Sequence, residues 1–80
     1  KDGIIYLLKD FDYYQSIYNK SILVHELTHH IQWLNGKLAM TCEEWVDNEI
    51  EAYNVQEKYL IFNKIYPDVK LDRFVKRIRC

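Results

Sequence analysis

The residues best suited to chemistry lie in one run, His25-Glu26-Leu27-Thr28-His29. Two imidazoles four residues apart on a helix share a face about one turn apart, so each can place a ring nitrogen about 2.0–2.1 Å from the same tetrahedral zinc ion. Glu26 follows the first histidine and projects to the side of such a metal. From there a carboxylate ligates poorly, but it can take a proton from activated water and pass it to a leaving amine. A purely structural zinc site has no use for a carboxylate at this place, and closed sites favour four protein ligands, often cysteines. The plain alternative is a pair of surface histidines on an amphipathic helix.

A helix must carry the run. Periodicity predicts one over residues 21–35, with Ser21 as N-cap and Asn35-Gly36 as the stop. Leu23, Leu27, Ile31 and Leu34 fall about 160–240° around this helix from His25, whereas His29, Gln32, Ile22 and Glu26 fall near it. The helix therefore has an apolar back and a polar front that holds the histidines. Gln32 shares that front, either bonding a ligand carboxylate or substrate or simply exposed. His30 lies off it and reads as a surface or packing residue.

A catalytic zinc needs a third protein ligand and an open fourth position. A second helix is predicted over residues 41–63, capped by Thr41 with Glu44 three residues on. It offers Asp47, Glu49 and Glu51. Glu51 shares a polar, solvent-facing side with Glu44, Asp47, Asn54 and Lys58, whereas Glu49 lies opposite with Trp45, Ala52, Tyr53, Gln56 and Leu60. That second face should pack on the first helix, which makes Glu49 the better ligand and Glu51 its competitor. Tyr53 or Tyr59 could donate to a developing oxyanion, although aromatic packing is the plainer role for both. Trp33 and Trp45 read as core or interhelix packing.

Outside these helices, Ile4-Ile5-Tyr6-Leu7-Leu8 reads as a short strand, residues 10–20 as a loop or short helix, and residues 68–79, after Pro67, as a third helix. The expected class is thus α+β and mainly helical: two long site helices, a C-terminal helix and at least one short β-strand. Eighty residues allow one domain, and a chain that is 49% hydrophobic with two Gly and one Pro is a folding chain. A start at Lys1 without Met is compatible with a fragment or processed form.

Eleven Lys and Arg balance twelve Asp and Glu for a net charge of -1, which gives no global attraction to nucleic acid or anionic membrane. The basic run Lys70, Arg73, Lys76, Arg77 and Arg79 is broken by Asp72 and reads as a solvated face. No apolar run approaches the roughly 20 residues of a membrane span, and no signal peptide opens the chain. Cys42 and Cys80 suit either one disulfide, which would tie the last helix to the second, or two thiols. Compartment and oligomeric state are left open.

The run HELTHH, followed about twenty residues later by NEIEAYNVQ, resembles the gluzincin-type zinc metallopeptidases, and most of all small uncharacterised bacterial and phage members with HExxHxxQ, a Cys and an EAY segment. In such families a glutamate on the helix after HExxH is the third ligand, and the first Glu of E-x-E-A binds metal. Position by position, the resemblance implies His25, His29 and Glu49 as ligands of one Zn²⁺ per chain and Glu26 as general base. It also implies a minimal zincin-like domain over residues 1–80 that hydrolyses a peptide or protein substrate, with Ile4–Leu8 as an edge strand able to pair an extended peptide. The likeness covers roughly residues 21–60. It departs where Tyr53 stands in place of an Asp that orients the first histidine, so that support should come from Gln56, Asn54 or a backbone carbonyl. A non-catalytic metal-binding or protein-interaction module derived from such a fold is the alternative, and two His with one carboxylate also suit iron or manganese.

Overall fold

Ser16 opens the first helix. Its hydroxyl accepts a hydrogen bond from the Asn19 amide (3.0 Å) while its own backbone is extended, and helix α1 runs Ile17–Leu34. This cap lies five residues before the expected one, and Ser21 sits inside the helix. The earlier cap prevails because the turn before it locks in place: the Tyr14 amide donates to the Asp12 carboxylate (2.9 Å), and the Asn19 side-chain amide donates to the Asp12 carbonyl (2.9 Å). At the far end, Gly36 takes φ 76° and the Lys37 amide donates to the Gln32 carbonyl (2.8 Å), a Schellman closure.

The computed structural model describes residues 12–67 and 70–80, and these are mainly helical. The expected strand over Ile4–Leu8 lies outside the described residues. Helix α2 runs Cys42–Phe62, as the sequence predicts. Thr41 accepts from the Glu44 amide (3.1 Å), and the Glu44 carboxylate accepts from the Thr41 amide (3.1 Å), a complete capping box. It ends in a second Schellman closure, Ile65 amide to Leu60 carbonyl (2.9 Å), with Lys64 rather than glycine at φ 62°.

The two helices form an antiparallel hairpin. Contacts pair Ser21 with Gln56 near the start of α1 and Gln32 with Asn48 near its end. The buried stripe of α1 is Ser21, His25, Thr28 and Gln32, and that of α2 is Ala52, Gln56 and Leu60. Thus the polar front of α1, not its apolar back, faces α2, and Leu27, Ile31 and Leu34 are exposed. Burial of this polar stripe is tolerable because its members are hydrogen-bonded: Ser21 donates to the Tyr18 carbonyl and Thr28 to the Val24 carbonyl (2.8 Å), and both glutamines are paired. Trp33 and Trp45, expected in packing, stay 37% and 45% exposed.

The predicted third helix is replaced by two single 3₁₀ turns, Leu71–Arg73 and Val75–Arg77, on either side of Phe74. Its apolar residues do not form a helical stripe, and the segment is pinned to α2 point by point instead. The Leu71 amide donates to the Glu57 carboxylate (3.2 Å), Val75 and Asp72 are buried, and Cys80 closes a disulfide with Cys42. The buried Asp72 carboxylate has the Lys76 ammonium 3.1 Å away. Among the described residues, no helix is long and apolar enough to cross a membrane.

Candidate metal centre

Spacing within each helix and the crossing of the pair bring three side chains together. His25 and His29 stand one turn apart on α1 with Nε2 atoms 3.2 Å from each other. Glu49 reaches across from α2, its Oε1 3.2 Å from His25 Nε2 and its Oε2 2.8 Å from His29 Nε2. The hairpin can close this tightly because Ala52, one turn beyond Glu49, is fully buried and adds almost no bulk between the helices. One donor atom from each of the three residues lies within 4.8 Å of the others, the one such group among the described residues.

These distances fit a metal. Bonds of about 2.0–2.1 Å at the tetrahedral angle put neighbouring ligand atoms about 3.3–3.4 Å apart, and the observed separations of 3.2, 3.2 and 2.8 Å need little adjustment. Two imidazoles and one carboxylate form a donor set suited to zinc, with iron and manganese as competitors. Glu51 is not in the group. It pairs with Lys37 (3.1 Å) and accepts from Gln32 (2.8 Å) instead.

The electrostatics agree with this crowding. Burial pushes the Glu49 carboxyl up, but hydrogen bonds from His25 and His29, together with their charge, outweigh it and hold the group at about 2. The bond to Glu49 raises His29 above the usual histidine value against the opposing effect of burial. Gln32, more than Lys37, holds Glu51 below the usual carboxylate range.

Around the three residues lies a shell of oriented partners. His25 Nδ1 donates to Gln56 Oε1 (3.0 Å), and Gln56 Nε2 donates to the Ser21 hydroxyl oxygen (3.1 Å). His29 Nδ1 donates to Gln32 Oε1 (2.8 Å), and Gln32 Nε2 donates both to the Asn48 carbonyl (2.9 Å) and to Glu51. Of the three supports expected for His25, Gln56 is the one in place. Gln32 bonds a histidine and not the nearby ligand carboxylate, and it is buried.

Tyr53 lies with its ring edge-on to His25, centroids 4.3 Å apart, and burial raises its hydroxyl, as do the charges of Glu49 and Glu26. Glu26 is half-buried and near enough to act electrostatically on both His29 and Tyr53. His30 stacks on Trp33 with centroids 6.1 Å apart, away from the site. Sequence reasoning missed Ser21, which it used as a cap. Its place on the stripe 21, 25, 28, 32, at alternating steps of four and three, was the available sign that it faces the same way as His25.

A family model described as a domain of unknown function, DUF6647, matches residues 1–80. The chain belongs to the DUF6647 family. No curated protein and no solved structure matches it. For this DUF6647 domain, function must therefore be reasoned from the site itself.

Proposed function

We propose that this DUF6647 domain is a zinc-dependent metallopeptidase, with His25, His29 and Glu49 as ligands and Glu26 as general base. One observation supports the reading: the two Nε2 atoms and both Glu49 oxygens converge to within hydrogen-bonding distance on one spot. Bound there, zinc would supply a Lewis acid that acidifies water and polarises a carbonyl. Glu26, in electrostatic reach of His29, would take the proton from that water and deliver it to the departing amine. Tyr53, ring-to-edge with His25, would stabilise a developing oxyanion. An edge strand from Ile4–Leu8 pairing the substrate belongs to the same proposal, and so does the finer zincin-like class.

The second reading, a metal-binding module without catalysis, is favoured by the scarcity of cleft-forming elements: two helices and two 3₁₀ turns among the described residues. Glu26 separates the two. Elemental analysis of protein purified without added metal should find about one zinc per chain in the wild type and none in His25→Ala. Glu26→Gln should keep the zinc and lose peptide hydrolysis. Absence of zinc after supplementation removes the metal site, whereas zinc with no hydrolysis across a peptide library leaves the non-catalytic module.

A further inference from the structure

We infer that Gln32 and Gln56 are positioning residues that hold Nδ1 of both histidines as a hydrogen-bond donor, so that Nε2, the nitrogen facing Glu49, is the one left to bind the metal. The inference rests on the metal-site reading above. It follows from two chains of donors and acceptors that end on backbone carbonyls.

At Gln32, one end of the carboxamide faces the Asn48 carbonyl (2.9 Å) and the Glu51 carboxylate (2.8 Å). Both are acceptors, so this end must be the NH₂ group and the other the carbonyl oxygen. That oxygen lies 2.8 Å from His29 Nδ1, which must then carry the proton. At Gln56 the sequence is one link longer. The Ser21 hydroxyl spends its only proton on the Tyr18 carbonyl, so toward Gln56 it accepts, and the NH₂ end of Gln56 faces it (3.1 Å). The carbonyl oxygen of Gln56 then faces His25 Nδ1 (3.0 Å), which is likewise the protonated nitrogen.

Both chains end on backbone carbonyls of the helices that carry the ligands, so ring orientation is tied to the hairpin itself. Gln32 and Gln56 are buried, at 4% and 5% exposure, so water does not compete for these bonds. A metal-ligating histidine is ordinarily held by a carboxylate, carbonyl or water on its second nitrogen, and losing such a partner typically weakens metal binding 10–100-fold. Here two neutral carboxamides do the holding, and their surroundings differ. Beyond Gln56 stands a hydroxyl, which can rotate to donate to a carboxylate. Beyond Gln32 stand a carboxylate and a carbonyl, which cannot.

This asymmetry makes the test. Gln56→Leu should weaken zinc binding 10–100-fold, and Gln56→Glu should restore it close to wild type, because Glu still accepts from His25 Nδ1–H and Ser21 can turn toward it. Gln32→Glu should not be restorative, since the new carboxylate faces Glu51, and it should bind zinc as weakly as Gln32→Met. Side-chain ¹⁵N NMR of the zinc-loaded wild type should show a protonated Nδ1 and a metal-bound Nε2 on both histidines, a signature that a merely structural role for the glutamines does not require. Zinc on Nδ1 of either ring, folded Gln56→Leu binding as tightly as wild type, or Gln56→Glu as weak as Gln56→Leu would each overturn the inference. If Gln56→Leu does not fold, the wild-type spectrum alone decides. A wild type that takes up no zinc refutes the metal site itself, a different result from zinc held through the wrong nitrogen.

Discussion

Replacing Glu49 by Gln keeps the size of the side chain and removes its charge, which in the metal-free protein should be costly. The Glu49 carboxyl is held at about 2 against an ordinary 4.5. That difference of about 2.5 pH units, at roughly 1.4 kcal/mol each, corresponds to about 3.5 kcal/mol of stability as an upper bound. Because the folded-state value is depressed, this stability is present above about pH 4.5 and is lost as pH falls toward 2. His29 runs the other way: its value is raised, so its contribution is complete below 6.5 and fades as pH rises through the folded-state value. Chelator-treated wild type should therefore be most stable between about pH 4.5 and 6.5. Urea unfolding at about pH 5.5 should show Glu49→Gln weaker by up to about 3.5 kcal/mol, with the gap closing in acid. Glu51→Gln should stay within about 0.5 kcal/mol, since the substituted side chain is exposed and keeps an acceptor for Gln32. Equal stabilities of wild type and Glu49→Gln at that pH, or a larger loss from Glu51→Gln, would refute the electrostatic account of the centre. Zinc should reverse the alkaline limb, because it competes for the same atoms and favours deprotonated ligands.

Other outcomes are open to direct measurement. Ala52→Leu inserts bulk where the helices meet and should cost about 1–3 kcal/mol in urea unfolding, with weaker zinc binding than an exposed control such as Glu43→Leu. Lys64→Gly relieves a left-handed residue at the end of α2 and should raise stability by roughly 0.5–1 kcal/mol, read by thermal unfolding. Reducing the Cys42–Cys80 bond opens a loop with a sequence separation of 38 and should lower stability by about 4 kcal/mol on the chain-entropy estimate, read by denaturation with and without reductant. Leu60→Ala empties a fully buried position and should cost about 2–5 kcal/mol in the same assay.

Helix α2 was legible almost to the residue, because Thr41 and Glu44 form a reciprocal cap whose sequence spacing is its geometry. The start of α1 was not, since Ser16 and Ser21 are equal as isolated caps and only the link from Asn19 back to Asp12 distinguishes them. Helix phase placed Glu49, and not Glu51, beside His25 and His29, because burial on α2 follows a regular stripe through Ala52, Gln56 and Leu60. On α1 the same reasoning identified the faces but not which would be covered. Hydrophobicity alone pointed to Leu27 and Ile31, whereas the hairpin closes on a polar stripe in which Ser21, His25 and Gln32 find partners on the other helix that cannot be seen in a single segment. The C-terminal segment escaped for a related reason: a disulfide and one bond to Glu57 shape it more than its own periodicity.

The helical hairpin has a kinetic consequence. Every atom of the proposed centre and of its glutamine supports lies between Ser21 and Gln56, on two helices joined by the short connection 35–41. Low contact order favours fast assembly, so the three ligands should meet on the timescale on which neighbouring helices dock. Closure of the Cys42–Cys80 bond takes seconds to hours. A nascent chain would thus possess its metal-gathering geometry well before its covalent cross-link, and capture of the ion could precede oxidative maturation.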